Sequence, residues 1–308
     1  MTQPQQPDIL EIIRHESLLR IAPQTGGRLL SWQIDGQPII FWPTQADWSI
    51  PAKIRGGNPL LFPFIGRHQV DGRLGEWRDQ TGVIRTLPVH GFARNLPFHA
   101  ARDADGYGVS MTLTDSSLTH HAYPFTFRFE VTYRLVDTHM LDVLLSISNL
   151  GDTPMPYYTG HHFYFALSHA LRGQTSIDLP RTHRCFQQED GLISAAIPGE
   201  SSYRLNDPRI HDRFHCFDGP LNQPVRIVSP YLQHSIEIDL ARPSSIPWYA
   251  VTTWTETLAS DFYCVEPWLG LPNAIHHGQG LRQLATGATE TAALRITVKR
   301  NQEGHGLM

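Results

Sequence analysis

The clearest pattern of hydrophobic and polar positions lies between residues 125 and 147. Apolar residues occupy every second position from Phe125 to Leu135, and the same alternation resumes from Leu141 to Ile147. The residues Asp137 and Thr138 between the two runs are typical of a turn. Because a period of two is that of a half-buried strand, we predict a β-hairpin here.

Similar alternation recurs elsewhere, and no long helical pattern accompanies it. The further strand-like segments run from Ile34 to Ile40 around Asp35-Gly36, from Ile236 to Leu240 and from Leu294 to Val298. The 308 residues include 24 glycines and 23 prolines, which interrupt the chain too often for long helices. Short strands without strand–helix alternation favour an all-β fold, a large antiparallel β-sandwich. We expect one domain over residues 8–300 and a loose C-terminal tail over 301–308.

Composition and charge exclude several classes of function. The formal net charge of −4 gives no electrostatic reason to expect nucleic acid or an anionic membrane as a partner. No stretch approaches the 18 or more apolar residues of a membrane span, and residues 1–8 are too polar for a signal peptide. The sequence therefore predicts a cytoplasmic protein. Its three cysteines, Cys185, Cys216 and Cys264, are widely spaced, which favours buried free thiols over a disulfide framework or a zinc site.

Four segments combine polar residues with glycine, proline and aromatic residues more densely than a core strand needs. They are residues 55–67, 89–94, 157–165 and 263–273. For the glycines of the first segment, a simple turn into the core is an equal alternative, and a lone histidine such as His90 is more often a surface or core residue. Arg55 is harder to explain by packing alone.

Two of these segments suggest specific chemistry. His161 and His162 lie among aromatic residues, which suits a sugar because its C–H face can stack on a ring while its hydroxyls need polar partners. Zinc is the alternative, but neighbouring side chains on a strand point to opposite faces, so no metal is predicted. Glu266 lies in an apolar segment, where burial should raise its pKa into the range of a general acid or base. A surface position at a strand end, before Pro267, is the other interpretation.

The four segments, in this order, resemble those of the aldose 1-epimerase, or galactose mutarotase-like, superfamily. The resemblance spans most of the chain. The family elements R/G-x-P-x-L-F-P-x-x-G-R, H-G-F-A-R, G-x-H-P-x-F and V/I-E-P-W-x-G are similar to residues 55–67, 90–94, 160–165 and 265–270. The glycine-rich start at residues 26–36 also resembles the first hairpin of the family.

The resemblance implies a role for each of five residues. Glu266 is then the catalytic base and His162, rather than His161, the catalytic acid. His90 and Arg55 contact the sugar, and Asp212 corresponds to a sugar-binding aspartate through little more than D-x-F. The sequence departs from the family pattern at Phe163, where proline is common, and at Asn58.

The implied reaction interconverts the α and β anomers of a free aldose, and it needs proton transfers but no cofactor. Glu266 takes the proton from the anomeric O1 while His162 protonates the ring oxygen, and the ring opens. Rotation about the C1–C2 bond presents the other face of the carbonyl, and the ring closes again. We expect the two side chains to face one pocket, with the carboxylate and the imidazole on opposite sides of a space large enough for a sugar.

Two alternatives remain at the level of sequence. The first is a hexose-6-phosphate 1-epimerase, for which Arg55, Arg67 and Arg94 could bind the phosphate. The second is a carbohydrate-binding sandwich without turnover. In each case the expected partner is a monosaccharide, and the protein could be a monomer or a homodimer.

Overall fold

The computed structural model describes residues 7–232 and 234–300, and nearly all of its regular structure is antiparallel β-strand. The α-helices in this part of the chain have four residues each, Ser117–His120 (α1) and Ala274–His277 (α2). Short 3-10 turns occupy Pro51–Lys53, Ala93–Asn95, His169–Gln174 and Pro208–Ile210. None of these described helices is long and apolar enough to cross a membrane. The predicted tail, 301–308, lies outside the described residues.

Two large sheets carry the fold, and their strands are numbered in chain order. The first sheet has ten described strands, in the spatial order β1 (Leu10–Arg14), β2 (Ser17–Ala22), β3 (Arg28–Ile34), β4 (Gln37–Ile40), β14 (Phe163–Ala166), β23 (Phe262–Trp268), β22 (Ala250–Trp254), β19 (Arg213–Phe217), β16 (Thr182–Cys185) and β17 (Ile197–Pro198). The second has nine, in the order β18 (Ser202–Arg204), β15 (Ser176–Asp178), β20 (Val225–Val228), β21 (His234–Asp239), β25 (Thr289–Arg300), β12 (Met140–Asn149), β11 (Phe127–Asp137), β10 (Gly108–Thr114) and β9 (His99–Arg102).

Three small pairs of strands complete the described structure. They are β13 (Met155–Tyr157) with β24 (Arg282–Leu284), β5 (Gln69–Val70) with β6 (Arg73–Leu74), and β7 (Glu76–Arg78) with β8 (Ile84–Thr86). The predicted class, a large antiparallel β-sandwich, is confirmed.

The predicted hairpin is formed by β11 and β12, which pair from Phe127 opposite Asn149 to Asp137 opposite Met140. Every second side chain of β11 is buried, as the alternation indicates. The strand begins two residues later than predicted: the backbone N–H of Phe125 donates to the carbonyl oxygen of Tyr123 at 2.9 Å, and the two rings pack at a tilt, 4.7 Å apart between centroids.

One hydrophobic cluster fills the space between the sheets and extends from Ile12 near the start of the chain to Val298 in β25. The cluster includes residues of both sheets, and the single domain over residues 8–300 stays a prediction. Phe62, from the segment at 55–67, lies within the cluster and stacks on Phe129 of the second sheet at 4.5 Å. The three cysteines are buried and free, as predicted.

Candidate active site

A cavity of about 450 Å³ opens on one face of the ten-stranded sheet. All five residues singled out by the resemblance line it, although they come from distant parts of the chain: His162, Glu266, His90, Arg55 and Asp212. The size is that of an ordinary small-molecule site.

Strand pairing brings the two proposed reacting groups together. Phe163 of β14 pairs with Val265 of β23, so His162 and Glu266, one step further along, lie side by side. Glu266 in turn pairs with Thr252 of β22. These side chains form a row across the sheet, on the face that lines the cavity.

The row contains buried polar atoms that lack a hydrogen-bond partner among the described residues. They are Nδ1 of His162, Oε2 of Glu266 and Oγ1 of Thr252. Because buried polar groups are almost always hydrogen-bonded, such a group of unpaired atoms at a cavity indicates a polar ligand.

His162 and Glu266 are closer than the opposite-sides arrangement requires. Nδ1 of His162 lies 3.4 Å from Oε1 of Glu266, and both side chains are nearly inaccessible to solvent. The two groups are therefore neighbours on one side of the cavity. This arrangement still suits ring opening, because O1 and the ring oxygen of an aldose are bonded to the same carbon.

Burial shifts the pKa values of Glu266 and His162 in opposite directions. It raises the pKa of Glu266 well above its ordinary value, and the negative charge of Asp212 adds to this effect. It lowers the pKa of His162 well below its ordinary value, helped by His90 and by the nearby arginines. The sequence-based expectation of a raised pKa for Glu266 is thus confirmed. These directions favour a protonated carboxyl beside a neutral imidazole.

The two adjacent histidines point to opposite sides of the strand, as the sequence predicts. His161 is fully buried and stacks on Phe163, at 4.9 Å between centroids, away from the cavity. The side chain of Asn58 contacts both histidines. Its side-chain amide lies 2.9 Å from Nδ1 of His161, and its Oδ1 accepts a hydrogen bond of 2.8 Å from the backbone N–H of His162.

His90 is held in an unusual backbone conformation, with φ of +65°. Its Nδ1 accepts a hydrogen bond of 3.1 Å from the backbone N–H of Gly66, so the proton of the neutral ring lies on Nε2. Burial and the charge of Arg94 lower the pKa of His90 well below its ordinary value. His90 is therefore a neutral hydrogen-bond donor, 5.7 Å from His162 between ring centroids.

Arg55 lies at the rim of the cavity. Its Nε donates to Glu256 at 2.8 Å, and its guanidinium lies over the ring of Trp254 at 5.3 Å. The buried Arg28 holds the preceding loop by donating to the carbonyl oxygens of Pro51, at 2.9 Å, and Ile54, at 2.7 Å. The guanidinium of Arg55 also interacts with the side chain of Tyr164, another residue of the cavity wall.

Asp212 is exposed at the mouth of the cavity, directly before β19, and also has a positive φ of 52°. Positive φ is uncommon for residues other than glycine and clusters at functional sites. Its occurrence at both His90 and Asp212 agrees with a functional cavity.

Sequence reasoning missed several lining residues. Tyr164 stacks on His162 at 4.7 Å, with the rings nearly parallel, and Trp254 lies edge-on to the same imidazole at 5.7 Å. Thr252, Phe214 and Lys53 also line the cavity. Tyr164 follows His162 by two residues at the start of β14, so the two side chains lie on the same face of the strand. This spacing could have identified Tyr164 from the sequence. No such local signal marks Thr252 or Trp254.

The description "Aldose 1-epimerase" belongs to the family whose model matches residues 8–283. The chain belongs to this family. Solved structures share the fold of the chain. The Slr1438 protein from Synechocystis has a TM-score of 0.81 at 23% identity, covering 98% of this chain and 99% of its own. A galactose mutarotase-related enzyme from Lactobacillus acidophilus has a TM-score of 0.79 at 20% identity, covering 96% and 99%.

Among curated relatives, an Escherichia coli protein provisionally named glucose-6-phosphate 1-epimerase is 29% identical over 138 residues, 44% of this chain and 42% of its own length. A relative from Cenchrus ciliaris with the same name is 28% identical over 190 residues, 54% and 52% of the two chains. The chain, itself a member of the aldose 1-epimerase family, thus spans about half the length of these curated relatives.

Proposed function

We propose that the protein is an aldose 1-epimerase that interconverts the anomers of an aldose by opening and closing its ring. One observation carries this proposal: His162 and Glu266 lie 3.4 Å apart and line the same cavity, with buried polar atoms left unpaired among the described residues. An acid and a base are the groups that this reaction needs, and the cavity has room for a sugar ring.

In the proposed reaction the carboxylate of Glu266 removes the proton from O1 while the imidazolium of His162 gives a proton to the ring oxygen. The bond between C1 and the ring oxygen breaks, which leaves an open-chain aldehyde, a protonated Glu266 and a neutral His162. Rotation about C1–C2 presents the other face of the carbonyl, and the reverse transfers close the ring. His90 and Arg55 donate hydrogen bonds to the sugar oxygens, and Asp212 accepts them.

The pair holds one shared proton throughout the reaction. Carboxylate with imidazolium and carboxylic acid with imidazole have the same total charge, and the short distance allows exchange between the two arrangements. Burial favours the uncharged arrangement. Hydrogen bonds to a bound sugar favour the charged one.

The variant Glu266→Gln tests the proposal, since it keeps the shape of the side chain but cannot accept the proton. We expect polarimetry to show mutarotation of the sugar slowed by at least about 100-fold, because positioned acid–base groups contribute about 10²–10⁴. Glu11→Gln is the control, since Glu11 is an exposed residue paired with Arg20. A near-normal rate in the Glu266 variant, or sugar binding without acceleration by the unaltered protein, would contradict the proposal.

A phosphorylated aldose is a second candidate substrate, favoured by the cations of the cavity. Lys53, Arg55, Arg67 and Arg94 line it, whereas its acidic residues are Asp212 and the buried Glu266. Arginine and lysine side chains are the usual ligands of phosphate. The names of the curated relatives point in the same direction.

The double variant Lys53→Ala/Arg67→Ala separates the two candidates. If the substrate is a hexose 6-phosphate, kcat/KM for glucose 6-phosphate falls by about tenfold or more while that for glucose is unchanged, because only the phosphate loses its ion pairs. Arg73→Ala, which removes an arginine outside the cavity, is the control. An equal effect on the two sugars would favour the free aldose.

A further inference from the structure

The thiol of Cys264 lies close to the proposed reacting pair, His162 and Glu266. Cys264 precedes Glu266 by two residues on β23, so both side chains are on the same face of the sheet. One ligand atom each from His162, Cys264 and Glu266 lies within 4.8 Å of the others, and all three residues are buried. The reaction proposed above makes no use of Cys264.

We propose that His162, Cys264 and Glu266 form a binding site for one soft divalent cation, Zn²⁺ or Cd²⁺, and that the bound ion inhibits the enzyme. Imidazole nitrogen, thiolate sulfur and carboxylate oxygen are the donors that zinc prefers in proteins. Three protein donors leave the fourth position of a tetrahedral ion to water, on the side of the cavity that His162 and Glu266 line.

The geometry of the pair fits such an ion. An ion bound at about 2.1 Å to both Nδ1 of His162 and Oε1 of Glu266, which are 3.4 Å apart, makes an angle of about 110°, close to tetrahedral. A sulfur ligand at about 2.3 Å from the ion lies about 3.6 Å from the other donors. The three donors already lie within 4.8 Å of one another, so the Cys264 sulfur must come closer to the other two by about 1.2 Å or less.

Two further observations support a cation here. Nδ1 of His162 and Oε2 of Glu266 are buried atoms without a hydrogen-bond partner in the described structure, and His162 lines the cavity through which an ion can enter. Loss of the protons from Cys264 and Glu266 supplies two negative charges, which balance the charge of the ion.

Binding of the ion and turnover exclude each other, because both use His162 and Glu266. This inhibitory consequence rests on the proposed epimerase activity, whereas binding of the ion does not. The experiment therefore measures binding first, by a signal that is independent of activity.

Titration of the chelator-treated full-length protein with Cd²⁺ gives this signal, since a Cd²⁺–thiolate bond has an ultraviolet charge-transfer band. We expect one equivalent to produce the band and Cys264→Ser to remove it, with affinity reduced by about tenfold or more. Cys216→Ser is the matched control, because it also removes one buried thiol. Cys216 lies away from the proposed site and next to Cys185, with the two sulfurs 3.6 Å apart. A band that disappears in the Cys216 variant and persists in the Cys264 variant would overturn the proposal.

Inhibition is then measured with Zn²⁺ by polarimetry. The unaltered protein and the Cys216 variant should be inhibited, with relief by excess sugar, while Cys264→Ser keeps its activity and tolerates at least about tenfold more Zn²⁺. Equal inhibition of both variants would contradict an inhibitory site at Cys264. If the unaltered protein shows no epimerase activity, the proposed function fails, but the Cd²⁺ band and its dependence on Cys264 still decide whether the site exists.

Discussion

At the scale of single residues, the pair of Glu266 and His162 shows how position changes chemistry. An exposed glutamate is ionised at neutral pH, but burial raises the pKa of Glu266 well above its ordinary value. Burial lowers the pKa of His162 in the same site. We therefore expect the proposed catalytic pair to hold one shared proton through neutral pH.

This unit predicts an unusual pH profile. With ordinary pKa values of about 4.3 and 6.5, activity would fall as the pH rises above about 6.5, because the imidazolium would lose its proton. Here we expect kcat/KM to stay level through this value. It falls at alkaline pH only when the pair loses its single proton, and at acidic pH, below the ordinary pKa of histidine, when the pair gains a second one.

Polarimetry between about pH 5 and pH 9, corrected for catalysis by the buffer, measures this profile. A decline centred near pH 6.5 would contradict the shared-proton pair.

Asn58 is a positioning residue that the sequence marked only as a departure from the family pattern. Its amide contacts the hydroxyl of Tyr133 at 2.7 Å as well as the backbone of His162. We expect Asn58→Leu to lower kcat by about tenfold or more, because a small displacement of an acid group costs much of its effect. Each buried group left unpaired costs about 1–3 kcal/mol in the free energy of unfolding.

The control for this variant is Asn149→Leu. Asn149 is also fully buried and donates to two backbone carbonyl groups at 2.8 and 2.9 Å, but it lies in β12 of the other sheet. It should lose comparable stability and retain kcat in a folded sample. Equal loss of kcat in the two variants would assign Asn58 a structural role alone.

At the scale of elements, the irregular segments hold the site to the sheet. The backbone oxygen of Phe62 accepts hydrogen bonds from Phe92, at 3.0 Å, and Ala93, at 3.2 Å, so the segment that carries His90 is joined to that of Arg55. Gly91 lies at this junction. A β-carbon on Gly91 would lie 2.0 Å from the Phe62 oxygen, which no real contact allows.

The variant Gly91→Ala tests the junction. We expect it to lower both the free energy of unfolding and kcat/KM, because the segment and its histidine must move. Gly72→Ala separates this effect from backbone strain, since Gly72 has the same φ of +74° and a β-carbon there would meet no described atom within 4 Å. The control should lose only about 1–2 kcal/mol and no activity. Urea unfolding and polarimetry measure both, and equal losses would contradict a specific role of the junction.

At the scale of the whole molecule, the site rests on the core between the two sheets. Phe62 is fully buried, and its ring stacks on Phe129 of the nine-stranded sheet. Pro59 and Gly66, from the same segment as Phe62, line the cavity on the face of the ten-stranded sheet. Packing between the layers therefore also fixes the segment that carries Arg55.

Truncation of this contact should destabilise the whole fold. For Phe62→Ala we expect a loss of about 3–5 kcal/mol in the free energy of unfolding, because the removed ring leaves a cavity in a packed core. Tyr231→Ala, at a site 65% exposed, should change it by no more than about 0.5 kcal/mol. Urea titration gives both values, and a loss below about 1 kcal/mol for Phe62→Ala would show that the sheets do not depend on this contact.

The sequence by itself determined the local structure and the family. Alternation from Phe125 to Leu135 predicted β11 because the faces of a strand follow directly from neighbouring positions. The motif around His162 and that around Glu266 indicated an acid and a base, since each motif is contiguous in the chain. The opposite directions of His161 and His162 followed from the same local geometry.

Only the tertiary structure decided how these parts meet. His162 and Glu266 are about 100 positions apart, and their contact depends on the pairing of β14 with β23, a choice among many strands that no local pattern encodes. The pairing of β14 with β23 also brought His162 near Cys264, and the pairing of β22 with β23 placed Thr252 beside Glu266. The structure also placed His162 and Glu266, the proposed acid and base, next to each other rather than on opposite sides of the cavity. Desolvation at this point, and with it the proton shared by the pair, arises from the packing of the sheets and not from any one segment.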